Sequence, residues 1–464
     1  MFQPTLIIHG GAGALQRSTL PPDLYSQYHA SLLSYLRSTK DLLDKGTPAL
    51  DAAVHAVSLM EDDELFNCGR GSVFTKSGTI EMEASVMITS VLEGQEGEDG
   101  GAFKRAAGVI GLKNVRHPIR LARESLLRTG HDATGTPTAD GGSMHSQLAA
   151  PYVEELAREW GLEFKPDEWF FTQRRWDEHR RGLEGKEEPV SMSQGTVGCV
   201  CLDRWGGLAV ATSTGGMTNK FPGRIGDTPT LGAGFWAERW DGGNNKIDVG
   251  APKEMVYRAP SSEGRQHCAD STTNYSLRTL WDDIFGNRTY KPSRETVPRA
   301  PSSPWFMCST NICTITCSST DIPEEQQALI DRVPHVSSVR KRAIALSGTG
   351  NGDSFLRVAA ARTACAIARF SPHEVPAAAA VTAIAGPGGE LQRSAGPRWQ
   401  KTGEGEGGII GIEARVEEGA EDGRVFRGTV VFDFNCGGMW RAWIETGDDG
   451  HEVERVMVFR EEYH

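Results

Sequence analysis

Apolar and polar residues alternate with two different periods along the chain, which predicts both helices and strands. Residues 22–45 carry apolar side chains three or four positions apart, the period of an amphipathic helix. A second helix is expected from Thr47 and Pro48, because threonine is a good N-cap and proline suits the first helical position. Further helices are expected at residues 118–128 and 353–370. The apolar stripes of the first two helices are Leu24, Tyr28, Leu32, Tyr35 and Leu42, and Leu50, Val54, Val57 and Met60.

Strands are predicted where β-branched and apolar residues form short runs. Residues 5–8 are interpreted as a short buried strand, and residues 80–87 alternate as a strand does. Residues 196–214 predict a hairpin with a turn at residues 204–207. Because helices and strands mix without regular βαβ alternation, we expect an α+β protein in which layered sheets have helices outside. The remaining strands are expected at residues 408–416, 427–434 and 440–444.

Two stretches lack sustained periodicity and are interpreted as linkers or insertions. Residues 130–195 end in a polar segment of mixed charge, expected to be an exposed, flexible connection. Residues 239–341 are rich in Ser, Pro and Thr and are interpreted as an insertion with little regular structure. The cysteines in this insertion could be unpaired thiols or could bind zinc. The absence of paired C-x-x-C spacing favours unpaired thiols. The zinc ligands would be Cys308, Cys313 and Cys317, with either Cys268 or His267 as the fourth.

Composition limits the classes of partner. The 464 residues carry a net charge of −12 and no long basic block, which argues against nucleic acid and acidic membranes. No apolar run approaches the roughly 18 residues of a transmembrane helix. The apolar run at residues 5–8 is also too short for a signal peptide. Nine cysteines without framework spacing predict reduced thiols and a cytoplasmic protein.

The most informative chemistry lies at Gly195 and Thr196, where the predicted hairpin begins. A threonine hydroxyl is a weak nucleophile when no base lies beside it. Cutting the chain before Thr196 would free an α-amine with a pKa of roughly 7.7–8.0, which can act as that base. The alternative is a hairpin whose threonines merely suit strand geometry, and the short Gly-Thr-Val sequence alone favours that alternative.

Further sequence blocks extend in order over most of the chain. They are residues 7–13, 60–73, 81–87, 117–123, 195–237, 346–353 and 435–441. Together these blocks resemble the plant-type asparaginase and isoaspartyl peptidase family of N-terminal nucleophile hydrolases. The resemblance implies one domain, residues 1–464, with an αββα sandwich and a long insertion. It also implies cleavage into an α subunit, residues 1–195, and a β subunit, residues 196–464.

The resemblance assigns roles to residues near the cleavage point. Thr196 would attack the carbonyl of Gly195 and, once its own amine is free, the amide carbonyl of a substrate. Glycine at position 195 would leave room for the strained turn that this step requires. Thr214 would orient the Thr196 hydroxyl, and Asn67 would help to hold the Thr196 amine or the intermediate.

Thr349 and Gly350 match positions that form an oxyanion hole, although the family's usual Ser-Thr-Thr-Gly has Gly348 in its second place here. Arg224 and Asp227 offer a cation and an anion three residues apart, as a zwitterionic amino acid needs. The alternative for this pair is an ordinary surface salt bridge. In the family these positions hold the α-groups of an aspartyl unit, which implies L-asparagine and β-aspartyl peptides as substrates.

The resemblance also bears on cofactors and partners. It implies no required cofactor, a possible structural sodium ion on the backbone near Phe66, Cys68 and Arg70, and a homodimer of cleaved protomers. The expected partner is a small molecule or a short peptide. Two alternatives stay open: a taspase-like endopeptidase, and a catalytically silent binding protein with the same fold. Glycosylasparaginase, a third relative, is disfavoured because a signal peptide is not apparent.

Overall fold

The structure is a computed structural model that describes residues 1–92, 105–131, 136–140, 145–186, 195–241, 339–371, 373–417, 424–447 and 451–463. These residues belong to one unit, formed by Met1–Ile247 and Val336–His464. Most of the predicted insertion at residues 239–341, with the cysteines of the zinc alternative, lies outside the described residues. The described ends of that range, residues 239–241 and 339–341, form strands, and the insertion itself stays a prediction.

Strands form the centre of this unit and helices pack against them. The strands are β1 (Phe2–Gln3), β2 (Thr5–Gly13), β3 (Met82–Ser90), β4 (Arg105–Leu112), β5 (Gln147–Ala149), β6 (Val197–Leu202), β7 (Gly207–Thr214), β8 (Phe235–Asp241), β9 (Val339–Gly350), β10 (Gly407–Glu417), β11 (Phe426–Phe434), β12 (Gly438–Thr446) and β13 (Glu452–Met457). The helices are α1 (Pro22–Asp44), α2 (Ala49–Asp62), α3 (Pro118–Arg128), α4 (Tyr152–Glu159), α5 (Asp167–Phe170), α6 (Gln173–Leu183), α7 (Gly352–Val358), α8 (Ala360–Phe370), α9 (Ala377–Ala385) and α10 (Glu390–Ala395).

The strands form two sheets. The larger sheet has the order β13-β12-β2-β6-β7-β3-β4-β5, and the smaller has the order β1-β11-β10-β9-β8. Strand β6, the first after Thr196, lies in the interior of the larger sheet between β2 and β7, and all its residues are buried. Its predicted hairpin with β7 is confirmed, with Val197 opposite Ser213.

Three apolar clusters hold these layers together. The first packs residues of α1, α2 and α3 against the larger sheet. The second contains residues of both sheets, such as Val200 and Val210 from the larger and Ala345 and Ile410 from the smaller. The third packs α8 and α9 against the smaller sheet. Since burying one such aliphatic side chain contributes about 1.5–3 kcal/mol, these clusters dominate the stability of the unit.

The polar segment at residues 173–181, predicted to be part of a flexible linker, is helix α6 instead. Its charges are paired rather than solvated: Arg175 is fully buried and contacts the carboxylate of Glu178 at 2.8 Å. The Arg175 Nε also donates a hydrogen bond to the Gly71 carbonyl at 2.8 Å. Thr172 caps the helix by accepting a hydrogen bond from the backbone N–H of Arg175.

The predicted helix at residues 353–370 is divided into α7 and α8. Ala359 lies between them with φ +45°, in the left-handed region that ends a helix. The break lets the N–H groups of Ala361 and Arg362 donate to the carbonyls of Ala233 and Gly232. No helix in the described ranges is both long and apolar enough to cross a bilayer.

Candidate active site

A cavity of about 280 Å³ lies where residues from several distant parts of the chain meet. It contains both residues of the predicted cleavage point, Gly195 and Thr196. The other described residues that line it are Ala12, Gly13, Ala14, Thr214, Gly216, Met217, Arg224, Asp227, Gly350, Asn351, Gly352, Gly403 and Glu406. The structure thus brings most of the predicted site residues into one enclosure.

Thr196 lies directly before β6, and only 5% of its surface is exposed. Its hydroxyl oxygen is 2.9 Å from the hydroxyl oxygen of Thr228, which is fully buried. The Thr228 carbonyl in turn accepts a hydrogen bond of 2.6 Å from the Ser85 hydroxyl. Thr228 was not among the residues predicted from the sequence. The one signal for it was the presence of a hydroxyl residue directly after Asp227.

Thr214 ends β7 and, in the register that pairs Val197 with Ser213, lies across from Thr196. Its hydroxyl oxygen accepts a hydrogen bond of 3.0 Å from the N–H of Gly216. In this uncleaved chain the described hydrogen bond of the Thr196 hydroxyl is therefore made by Thr228. The orienting role predicted for Thr214 stays a prediction.

Gly195 is packed so closely that a side chain would not fit. A Cβ atom built there would lie 2.6 Å from the Ala12 backbone nitrogen and would overlap the Thr349 hydroxyl oxygen. Close packing accounts for glycine at this position.

Thr349 and Gly350 end β9 beside the cavity. The Thr349 hydroxyl oxygen accepts a hydrogen bond of 3.1 Å from the Ala12 N–H, so its own hydrogen is left for another acceptor. Gly350 has φ +146°, which a residue with a side chain would adopt only with strain. At Gly348, where the family has threonine, a Cβ would lie 2.9 Å from a ring carbon of Phe355. The ring of Phe355 therefore requires glycine there.

Arg224 and Asp227 line the same end of the cavity. The Arg224 guanidinium contacts the Asp353 carboxylate at 2.7 Å. Burial raises the pKa of Asp227 to about 7, against the opposing effect of Arg224. One Asp227 oxygen has no hydrogen-bond partner among the described residues. A Cβ at Gly352 would lie 3.0 Å from the Arg224 Nη2 and against Asp227, so glycine keeps the space between these two charges open.

Asn67 lies behind the cavity wall. Its amide nitrogen donates to the Gly216 carbonyl at 2.7 Å, and its oxygen accepts from the Val73 N–H at 3.1 Å. Asn67 therefore fixes the turn at residues 215–216 that lines the cavity. Its predicted contact with the Thr196 amine is untested. His9, also buried nearby, contacts the Ser347 hydroxyl at 2.7 Å, and burial lowers its pKa to about 3, which keeps the ring neutral.

The loop of the predicted sodium site follows α2. A Cβ at Gly71 would overlap the carbonyl oxygen of Phe66 and would lie 2.7 Å from that of Glu64, so these oxygens point into the loop. The Cys68 carbonyl accepts a hydrogen bond of 3.0 Å from the Gly71 N–H. Backbone carbonyl oxygens are the ligands that an alkali cation would need here, and the sodium site stays a prediction. The described residues contain no group of three or more His, Cys, Asp or Glu side chains suited to a metal ion.

Comparison with known proteins agrees with this geometry. The asparaginase family profile matches residues 2–243, slightly more than half of the chain. A putative isoaspartyl peptidase/L-asparaginase of Dictyostelium discoideum is 35% identical over 270 residues, which cover 50% of this chain and 70% of the relative. The isoaspartyl peptidase of Salmonella typhimurium is 35% identical over 246 residues, covering 51% and 70%.

A third relative aligns over a longer segment. The isoaspartyl peptidase/L-asparaginase of Xenopus laevis is 31% identical over 283 residues, covering 59% of this chain and 82% of the relative. The profile match includes Thr196, Arg224 and Asp227 and ends before Thr349. Both the match over half of the chain and the coverage of these relatives lead to one conclusion: the chain belongs to the asparaginase family.

Proposed function

We propose that this protein is an autoprocessed threonine amidohydrolase that hydrolyses L-asparagine and β-aspartyl (isoaspartyl) peptides. The observation that carries the proposal is the position of Thr196 in one cavity with Arg224 and Asp227. The names of the similar proteins, isoaspartyl peptidase and L-asparaginase, support the same reaction. Because the resemblance extends over several separate blocks, the activity is assigned to the whole chain.

Maturation starts from the uncleaved chain. The Thr196 hydroxyl oxygen attacks the Gly195 carbonyl carbon, the bond from that carbon to the Thr196 nitrogen breaks, and an ester replaces the amide. Water then hydrolyses the ester, which leaves a carboxylate on Gly195 and a free amine on Thr196. The close packing of Gly195 against Ala12 restricts the backbone on the carbonyl side of the bond that is cut.

Turnover uses the amine that maturation frees. The amine takes the proton of the Thr196 hydroxyl, whose oxygen attacks the side-chain carbonyl of the substrate. The Thr349 hydroxyl and the Gly350 N–H stabilise the developing oxyanion, a contribution of about 3–4 kcal/mol for each donor. The leaving amine departs with the proton, and water resolves the β-aspartyl ester. Since Thr349 accepts from Ala12, its hydroxyl hydrogen is available for this role.

Substrate recognition rests on the pair at the other end of the cavity. The Arg224 guanidinium, held by Asp353, binds the α-carboxylate through its remaining N–H donors. The buried Asp227 carboxylate, with one unpartnered oxygen, binds the α-ammonium group. A substrate held in this way presents its side-chain carbonyl to Thr196. Free α-groups are therefore required, which selects asparagine and β-aspartyl units.

Two alternatives are less well supported. A taspase-like endopeptidase would not need Asp227 for a free α-amine, and we associate that branch with an acidic residue before the nucleophile, where this chain has Gly195. A silent binding protein would have no physical need for Thr196, Arg224 and Asp227 together in one cavity.

We infer four further properties. The two sheets and the outer helices support an αββα sandwich. The carbonyl oxygens of the loop at residues 64–71 support a structural sodium ion, and the chemistry above needs no other cofactor. Cys68, Cys199, Cys201 and Cys436 are free thiols, which supports a reducing compartment such as the cytoplasm. A homodimer of cleaved protomers stays a prediction of the family resemblance, which size-exclusion chromatography with light scattering would test.

The first experiment compares purified wild-type protein with Thr196→Ala and Thr196→Ser on a denaturing gel, with intact masses. Cleavage before Thr196 gives chains of 195 and 269 residues, about 21 and 29 kDa of the 50.4 kDa total. We expect two bands for wild type, one for Thr196→Ala, and slower cleavage for Thr196→Ser, which keeps a hydroxyl. Ammonia release from L-asparagine and hydrolysis of β-aspartyl-leucine then test the substrate. A silent binding protein could hold a nucleotide in its glycine-rich loops. A single wild-type band, together with binding of nucleotide but not of aspartate, would therefore favour that alternative.

A further inference from the structure

Glu406 also lines the cavity, and the proposed chemistry does not use its carboxylate. Glu406 directly precedes β10, and the pairing of Gly407 with Gly350 places it beside the predicted oxyanion position. Its carbonyl accepts a hydrogen bond of 2.9 Å from the Asn351 N–H. The backbone thus fixes Glu406 next to the segment that forms the cavity wall.

The contacts of Gly352 and Gly350 show which residues lie at each end of the cavity. Gly352 lies against Asp227 and Arg224, the pair proposed to hold the substrate's α-groups. Gly350 lies against the backbone of Glu406. A β-aspartyl substrate with its α-groups at the first end and its carbonyl at Gly350 has its amide nitrogen on the side of the cavity away from Arg224 and Asp227, which Glu406 also lines. The group on that nitrogen is the leaving group.

The charge of Glu406 has no counterpart in the described part of the chain. Among the described ion pairs and hydrogen bonds, none involves its carboxylate, although Glu404 two residues earlier is paired with Arg398 and Arg357. Partial burial raises the pKa of Glu406, and no cation of the described residues opposes this effect. A cation brought into the cavity would therefore meet a carboxylate that no described side chain already neutralises.

We propose that Glu406 forms a subsite for the leaving group and selects β-aspartyl substrates in which that group carries a positive charge, such as β-aspartyl-lysine and β-aspartyl-arginine. This inference rests on the proposed function and names the substrate class of that same site. L-Asparagine releases ammonia and has no side chain to reach the subsite. We therefore expect the subsite to raise kcat/KM for positively charged peptide substrates and to have little effect on kcat/KM for asparagine.

The test compares two substrates of nearly equal length, β-aspartyl-lysine and β-aspartyl-(Nε-acetyl)lysine, which differ in the charge of the leaving group. kcat/KM is measured for both with wild type, with Glu406→Gln, and with Glu404→Gln as the matched control outside the cavity lining. A partly exposed charge pair predicts a wild-type preference of about fivefold for the charged substrate. The preference should fall to about one in Glu406→Gln, persist in Glu404→Gln, and weaken with added salt.

Two results would overturn the subsite. One is an equal kcat/KM of wild type for both peptides. The other is a Glu406→Gln variant that slows both peptides and L-asparagine by the same factor, since that pattern places the carboxylate at the Thr196 amine. Calorimetric affinities of both peptides for the purified protein give the same ratio without turnover. An enzyme that binds both but cleaves neither would therefore contradict the proposed function while the affinity ratio still decides the subsite.

Discussion

Replacing Asp227 with asparagine should change the pH dependence of asparagine hydrolysis in a way that identifies the residue's role. Burial holds the pKa of Asp227 at about 7 in the free protein. The carboxylate must be ionised to bind the substrate's α-ammonium group, and the Thr196 amine must be unprotonated to act as a base. Two groups therefore have to lose a proton before the free enzyme can react.

The expected magnitude follows from these two titrations. Well below pH 7, each group reduces kcat/KM about tenfold per pH unit, because kcat/KM reports the protonation of the free enzyme. The wild-type profile should then fall about 100-fold per unit, with a limiting slope of two. Asp227→Asn has only the Thr196 amine left to titrate, with a pKa of roughly 7.7–8.0, so its slope should be one. Its kcat/KM should be lower at every pH, because a neutral amide binds an ammonium group weakly.

The same substitution should lower activity but raise the free energy of unfolding. The folded-state pKa of Asp227 lies above the ordinary value of 3.8, at about 7, so the folded protein favours the protonated form. That contribution is fully present below pH 4 and is lost as the pH rises through 7. The rise of roughly three pKa units corresponds to about 4 kcal/mol at most. Asp227→Asn stays neutral and should therefore gain stability over the wild type between pH 5 and 8.

Two assays check this reasoning. Ammonia release at limiting L-asparagine, followed between pH 5 and 9, gives the slopes. Thermal unfolding of Thr196→Ala with and without Asp227→Asn gives the stability, because this background is expected to remain one chain. Autocleavage of the single Asp227→Asn variant should continue, as it should for Asp227→Ala. Equal slopes in both enzymes, or retained asparagine turnover in Asp227→Ala, would refute the assigned role.

Three further substitutions follow from the packing. Gly195→Ala places a methyl group against Ala12, so we expect a cost of about 1–3 kcal/mol and slower cleavage in a gel time course. Thr228→Val removes the hydrogen bond to the Thr196 hydroxyl and should slow cleavage about fivefold, whereas Thr228→Ser should stay within about twofold of wild type. Glu413→Gln disrupts the buried ion pair with Arg342 and should cost about 3–5 kcal/mol in urea unfolding, while the exposed-pair control Glu417→Gln should change little.

Each of these expectations has a clear contrary result. Cleavage of Gly195→Ala at the wild-type rate would mean that the close packing is not needed in the reactive state. Equal rates for the valine and serine variants at position 228 would remove Thr228 from the positioning of the nucleophile. Equal urea midpoints for Glu413→Gln and Glu417→Gln would show that the buried ion pair contributes no more than an exposed one.

The sequence predicted those elements whose cause is local. Helix α3 has the predicted bounds, Pro118–Arg128, because its apolar period and its initial proline act within the segment itself. Helix α6 was missed because its charged residues resemble a solvated linker, whereas Arg175 is buried against Glu178 and the Gly71 carbonyl. The break at Ala359 depends on hydrogen bonds to a loop more than a hundred residues away. Local periodicity contains no information about such bonds.

The candidate site divides in the same way. Thr196, Arg224 and Asp227 could be identified because the sequence blocks that contain them resemble those of the family, which gives their residue types a chemical role. Thr228 and Glu406 matter through tertiary contacts, one with the nucleophile's hydroxyl and one with the loop at Gly350. Thr228 lies within the block at residues 195–237 but no role pointed to it there, and Glu406 lies outside every block. Only the folded arrangement identifies them.

The strand order of the larger sheet has a consequence for the matured protein. Strand β2, from the first of the two expected polypeptides, lies between β12 and β6 of the second, and β3 of the first pairs with β7 of the second. The two products of cleavage would thus stay paired, strand against strand, in one sheet and would separate only on unfolding. Refolding of the intact precursor is unimolecular, but recovery of the matured form requires two chains to meet. Its refolding yield should therefore depend on concentration, and its lifetime should be governed by the rate of unfolding.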